Sequence, residues 1–231
     1  MEAAGNNYLL IARDIFRHFE TSEGTIEVLK GINLGIREGD MVAVVGESGV
    51  GKSTLLHILG GLDRPSAGTV EVKGESFNRK SESELAKYRN RHVGFVFQQH
   101  YLMEDFTALE NAMMPALISG KSKAEATTIA EQLLREVGLS DRMTHRPREL
   151  SGGEQQRVAV ARALANNPGI VIADEPSGNL DIKTGERLHS LLADLNQSRG
   201  ITFLIATHNK DLARTCRRVV KLENGLIGEA E

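Results

Sequence analysis

Gly46-Glu47-Ser48-Gly49-Val50-Gly51-Lys52-Ser53 satisfies the spacing G-x-x-x-x-G-K-[ST] at every fixed position. A chain of phosphates needs donors wrapped around it, and backbone N–H groups can supply them only where the chain passes very close. Gly46, Gly49 and Gly51 permit that approach. A helix starting at Lys52 turns its positive end towards the same anion. Lys52 places a point charge at the β- and γ-phosphates, and the Ser53 hydroxyl is the expected Mg²⁺ ligand. Glu47, Ser48, Val50 and Thr54 complete the expected phosphate-binding set around ATP.

Further along, Ile170-Val-Ile-Ala-Asp174-Glu175 is an apolar run ending in two carboxylates. Asp174, on the strand, is placed to hold Mg²⁺, and Glu175, one step beyond, to polarise an attacking water. His208 ends another apolar run, Thr202–Thr207, and its imidazole, neutral or protonated, can hydrogen-bond a γ-phosphate at the same sheet edge. Gln98 follows Val93–Phe97, where a side-chain amide can touch the metal or the water. Leu150-Ser151-Gly152-Gly153-Glu154 opens a helix and forms a second anion site. A phosphate bound at Lys52 is already cradled by its own loop, so this second site faces outward, towards a second molecule.

The elements that must position these residues follow from the patterning. Met41–Val45, Val93–Phe97, Ile170–Asp174 and the run from Ile201 to Thr207 read as short, fully buried strands of the parallel kind. Tyr8–Arg13 and Gly68–Gly74 read as further strands, and Val28–Asp40, interrupted by Gly31, Gly35 and Gly39, as antiparallel strands and turns. Lys52–Leu59 reads as a helix, and so does a segment near Lys183–Asn196. Ser81-x-x-Glu84 and Ser122-x-x-Glu125 are capping boxes, the second opening a helix with Ile129, Leu133, Leu134 and Val137 on one face and Gly138 as its stop. The expectation is a single α/β domain with a mostly helical lobe inserted from about 98 to 165, and only the first few residues as a loose tail.

With 40% hydrophobic and 26% charged residues the composition is that of an ordinary globular chain. No apolar stretch is long enough to cross a bilayer, and no leader pattern opens the chain. A lone cysteine, Cys216, fits a reducing compartment, and a net charge of −3 without a Lys/Arg run argues against nucleic acid as the main partner. The expected place is the cytoplasmic side, with any membrane attachment made through other subunits.

In this order, these residues resemble the nucleotide-binding subunits of ABC transporters along essentially the whole chain. The resemblance implies a RecA-like P-loop core with an antiparallel β-subdomain and an inserted helical subdomain, two copies sandwiching two ATP molecules head to tail. It also implies that Phe19 stacks on adenine, that Gln98 is the Q-loop glutamine, that Leu150–Glu154 is the family's signature, that Asp181 closes the D-loop begun by Gly178, and that His208 is the switch histidine. Leu59-Gly-Gly-Leu-Asp63, Glu104–Asn111, His145–Leu150 and Asn166-Asn-Pro168 are similar to the lipoprotein-releasing branch of the family. That finer similarity implies permease partners of the LolC/LolE type and a peripheral place on the cytoplasmic face of a bacterial inner membrane. MacB-type efflux or mechanotransmission and FtsE-like cell-division ATPases share the chemistry and differ in the permease. A DNA-repair or chromosome-organising ATPase would need sustained heptads between Lys52 and Ser151, which are absent. The stretch after Gln98, carrying Tyr101, Leu102 and Met103, is expected to form a groove for a short permease helix.

Overall fold

The computed structural model describes residues 8–22, 24–78 and 80–229; the loose tail read at the start of the chain lies outside them. In chain order the first elements are β1 (Tyr8–Thr21), β2 (Gly24–Arg37), β3 (Met41–Val45), α1 (Lys52–Leu59), β4 (Ala67–Val72), β5 (Glu75–Ser76), α2 (Glu82–His92) and β6 (Val93–Phe97). Then come α3 (Ala108–Ile118), α4 (Lys123–Glu136), α5 (Gly152–Leu164), β7 (Ile170–Asp174) and α6 (Ile182–Arg199). The chain closes with β8 (Thr202–Ala206), α7 (Lys210–Thr215), β9 (Arg218–Glu223) and β10 (Leu226–Glu229).

The unbroken apolar runs form the centre of a six-stranded sheet of order β10-β9-β3-β8-β7-β6. All neighbours are parallel except the β9–β10 hairpin. Side chains alternate between the two faces of these strands, and each face has its own cover. Val42, Val44, Ile170, Ile172, Leu204 and Ala206 pack with α1, α2 and the antiparallel strands. Met41, Val171, Ala173, Phe203 and Ile205 pack with α6, α7 and the helices of the middle third. Burial on both faces explains why these strands carry no polar alternation.

The second sheet, β2-β1-β4-β5, is antiparallel. β1 and β2 are each 14 residues long, so the strand expected to end at Arg13 continues to Thr21, and the segment expected to be strands and turns is one strand from Gly24 to Arg37. Between Gln98 and Ala165 the chain builds α3, α4 and α5, whose buried Ala112, Ala116, Ala126, Ala130 and Leu134 form a core of small residues against Val158 and Ala161. Ser81, Ser122 and Ser151 cap α2, α4 and α5 through complete capping boxes, and so does Thr107 for α3. Each such cap is worth about 1 kcal/mol. No helix among the described residues is long and apolar enough to cross a membrane.

Candidate functional site

Strand register brings the singled-out residues to one edge. Val44 is paired with Ala206, Ala206 with Asp174, and Asp174 with Phe97. The next residues in each chain segment are therefore the glycine loop after β3, Thr207 and His208 after β8, Glu175 after β7 and Gln98 after β6. This is the carboxyl edge of an open α/β sheet, where ligands collect.

The glycine loop leads directly into α1. Gly51 is the N-cap of that helix at φ 106°, with no side-chain cap, whereas α2, α3, α4, α5, α6 and α7 are each capped by a Ser, Thr, Asp or Asn side chain. The orphan N–H groups of the first turn of α1 are thus left to an anion in the loop. Close packing holds the loop: a Cβ on Gly46 would run into the Leu222 carbonyl, and one on Gly51 would sit 2.6 Å from Val28 Cγ1. Lys52 is buried, and its Nζ donates to the carbonyls of Gly46 and Glu47, both at 2.9 Å. Ser53 is exposed and Thr54 half-buried on the same turn; Ser48 and Gly49 are exposed and Val50 half-buried at the tip.

Glu175 occupies left-handed backbone, at φ 46°, one residue past the end of β7. Its Oε2 lies 2.9 Å from His208 Nδ1, and its Oε1 4.0 Å from Lys52 Nζ. His208 is largely exposed, and its backbone N–H also donates to Glu175 Oε2 at 3.3 Å. Asp174 Oδ1 is buried and has no hydrogen-bond partner among the described residues. A buried carboxylate oxygen without a donor is costly, and a hydrated cation relieves it. Gln98 follows Phe97, the register partner of Asp174, and Ser53 lies in the first turn of α1, so the oxygens available at this sheet edge are of the hard kind that suits Mg²⁺.

Phe19 lies directly opposite Ile26 across the β1–β2 pair, and Val28, two residues on and unpaired at a register shift, comes close to the Gly51 backbone. A flat apolar platform is therefore held beside the phosphate loop. Phe19 is 40% exposed, and the Arg17 guanidinium lies 4.4 Å from its ring centroid, fixed by Asp63 at 2.9 Å and the Arg64 carbonyl at 3.0 Å. Sequence reading did not single out Arg17; its offset of two residues from Phe19 was the available signal.

The segment expected to form a second anion site lies at the start of α5, where a Cβ on Gly152 would lie 3.6 Å from Leu180. Ser151 and Gly152 are exposed and Gly153 is buried. Glu154, expected among the nucleotide-binding residues, turns back on its own helix: its Oε2 accepts from Ser151 N and Oγ at 2.8 Å, and its Oε1 accepts from Arg142 at 3.1 Å. These bonds hold its carboxyl below the usual range, the Ser151 backbone contributing most. Asp181 likewise caps α6 by accepting from Thr184 N at 3.1 Å.

The segment after Gln98 is clamped by α5. Gln156, fully buried, donates to the Phe97 carbonyl at 3.1 Å, and Arg162 donates to the carbonyls of His100 and Tyr101 at 2.7 and 2.6 Å. Beside it runs an open groove of about 370 Å³, lined by Leu62, Phe95, Phe97, Tyr101, Pro115 and Arg162 among others. Tyr101 is 65% exposed there, whereas Leu102 packs inward against the helical core, and neither Leu102 nor Met103 lines the groove. Leu102 and Met103 are half-buried, as expected, and the groove itself is lined by Phe95 and Phe97 beside Tyr101.

Comparison with known proteins fits this geometry. The family model described as "ABC transporter" matches residues 29–178. The chain is 51% identical over 219 residues to the lipoprotein-releasing system ATP-binding protein LolD of Geobacter metallireducens, covering 95% of this chain and 97% of that one. It is 52% identical over 206 residues to LolD of Bacteroides thetaiotaomicron, covering 89% and 94%. Among solved structures, the dimeric post-hydrolysis state of the ATP-binding cassette MJ0796 bound to ADP and Pi superimposes with a TM-score of 0.88 at 40% identity, covering 96% of this chain and 97% of that one.

Proposed function

The chain belongs to the ABC transporter family as an ATP-hydrolysing subunit, and from that premise we propose that it powers the release of lipoproteins from a bacterial inner membrane towards a periplasmic carrier. The observation that supports this reading best is identity of 48–52% with the LolD proteins over nearly their whole length, joined to a site in which every reacting side chain is present. On this reading the chain is one nucleotide-binding domain, with the helical part from about 98 to 165 as an inserted subdomain, working from the cytoplasmic face through permease subunits of the LolC/LolE type.

In the mechanism we infer, the N–H groups of the 46–53 loop and the first turn of α1 bind the β- and γ-phosphates of ATP, and Lys52 turns its ammonium from the loop carbonyls to them. Phe19, backed by Arg17, stacks on adenine. Asp174, Ser53 and Gln98 would hold Mg²⁺, which supplies charge neutralisation on the phosphate oxygens. Glu175 accepts the proton of the attacking water, and His208, anchored on Glu175, donates to the γ-phosphate. Ser151, Gly152 and Gly153 meet the phosphates bound by a second copy, so closure of the dimer completes two composite sites. The same Arg162 and Tyr101 that border the groove are bonded to each other, so a permease helix seated there acts directly on the segment carrying Gln98.

Reconstitution with a LolC/LolE-type permease in vesicles loaded with a lipoprotein tests the whole reading. ATP-dependent transfer of the lipoprotein to a soluble carrier is expected, with Tyr101→Glu abolishing it while the isolated protein keeps its basal ATPase rate. Assembly with a MacB- or FtsE-type permease, and none with LolC/LolE, would overturn the lipoprotein assignment and leave the ATPase intact.

A further inference from the structure

Gln98 has two unlike ends: its Oε1 can ligate a cation or accept from water, while its Nε2 can only donate. Its side chain is exposed at the end of β6, and water alone would let it turn either way. The structure pairs it with Asn179, which sequence reading placed inside the 178–181 segment without a role of its own. Gln98 Nε2 donates to Asn179 Oδ1 at 2.9 Å, and Asn179 Nδ2 donates to the Gln98 backbone carbonyl at 3.1 Å. These two bonds determine each other. A backbone carbonyl only accepts, so the nitrogen end of Asn179 must face it. The oxygen end of Asn179 is then the one presented to the Gln98 side chain, which must answer with its nitrogen. Oε1 is the atom left over. Gly178 allows the approach, since a Cβ there would lie 2.8 Å from Gln98 Nε2.

We propose that Asn179 is a positioning residue that sets the amide of Gln98, keeping Oε1 as the end available to the metal ion and the attacking water. The backbone of the 178–181 segment thereby controls which atom Gln98 offers, and a shift of that segment releases the amide. The inference rests on the reading of Gln98 as a metal and water ligand.

Nucleotide binding without turnover tests it. The affinity of the full-length protein for the non-hydrolysable analogue AMP-PNP is measured by calorimetry in Mg²⁺ and in EDTA, and the ratio of the two reports the metal's contribution. Asn179→Leu, of similar size and without hydrogen-bonding groups, is expected to lower that ratio by about two- to tenfold, the worth of one neutral hydrogen bond. Its affinity in EDTA and its melting temperature stay at wild-type values. In a Gln98→Glu background the side chain has no nitrogen for Asn179 Oδ1 to hold, so Asn179→Leu is not expected to lower the ratio. An unchanged or increased ratio in Asn179→Leu, or an equal drop in the Gln98→Glu background, overturns the positioning role. Gln98→Leu separates the two layers: a wild-type ratio in that variant removes Gln98 as a ligand, and the role of Asn179 with it.

Discussion

Replacing Glu175 by Gln changes one charge and almost no volume, which makes it the sharpest probe of the hydrolytic step. The loss of a positioned general base costs about two to four orders of magnitude in turnover, roughly 3–5 kcal/mol of barrier. The structure says what else should move. The bond to His208 survives, because the amide oxygen of a glutamine can accept from the ring nitrogen now 2.9 Å away. Lys52 loses a carboxylate at 4.0 Å but keeps the Gly46 and Glu47 carbonyls at 2.9 Å. Folding stability should therefore fall by no more than about 1 kcal/mol, a shift of roughly 2–4 °C in a chain of this size. Nucleotide affinity should hold or rise, since a negative charge facing the γ-phosphate has been removed. Phosphate release at saturating Mg-ATP measures the first quantity, thermal melting the second, and equilibrium binding with size-exclusion chromatography the third, where an ATP-bound dimer is expected to accumulate. Turnover within tenfold of wild type, with ATP still bound, would refute the assignment of Glu175 as the base.

Lys52→Ala is expected to abolish ATP binding, whereas Ser151→Arg leaves binding to the single chain nearly intact and blocks dimer closure and hydrolysis; equal losses of binding in both variants would dismiss the composite site. Light scattering is expected to show a monomer in nucleotide-free buffer and a dimer with ATP in the Glu175→Gln variant, and a stable dimer without nucleotide would contradict the role given to the triphosphates. Burial pushes the Cys216 thiol up to about 11, so the fraction of thiolate near neutral pH falls. Reaction of the native protein with Ellman's reagent is then expected to be on the order of a hundredfold slower than that of the unfolded chain, and equal rates would show that Cys216 is exposed.

The central sheet was legible because burial on both faces removes polar residues from its strands, leaving runs such as Ile170–Ala173 that no exposed element would carry. β1 and β2 were not, and the reason is local. Register shifts at Leu10, between Ala12 and Ile15, and again at His18 break the two-residue alternation that marks a half-buried strand. Gly31 and Gly35, which read as turn residues, lie inside β2 under aromatic rings: a Cβ would come within 3.0 Å of Phe16 and 2.8 Å of Tyr8. These glycines mark cross-strand ring packing, and only the neighbouring strand reveals it. α3 was missed in a similar way: its capping box, Thr107 with Glu110, stands inside a stretch whose apolar residues suggested an exposed groove.

The site divides along the same line. Lys52, Ser53, Asp174 and Glu175 could be named because contiguous residues supply their context, a loop and helix for the first pair and a strand end for the second. Asn179 sits in the 178–181 segment, which resemblance could name as a D-loop but whose local sequence gives Asn179 no partner, because Gln98 stands 81 positions earlier. Arg17 and Arg162 read as ordinary surface cations, yet one backs the Phe19 ring and the other holds two carbonyl groups of the segment after Gln98. The atoms assigned to the substrate are thus written locally. The atoms that orient them are written in pairs brought together by the β6–β7 register and by α5, so their roles emerge only once those elements are packed.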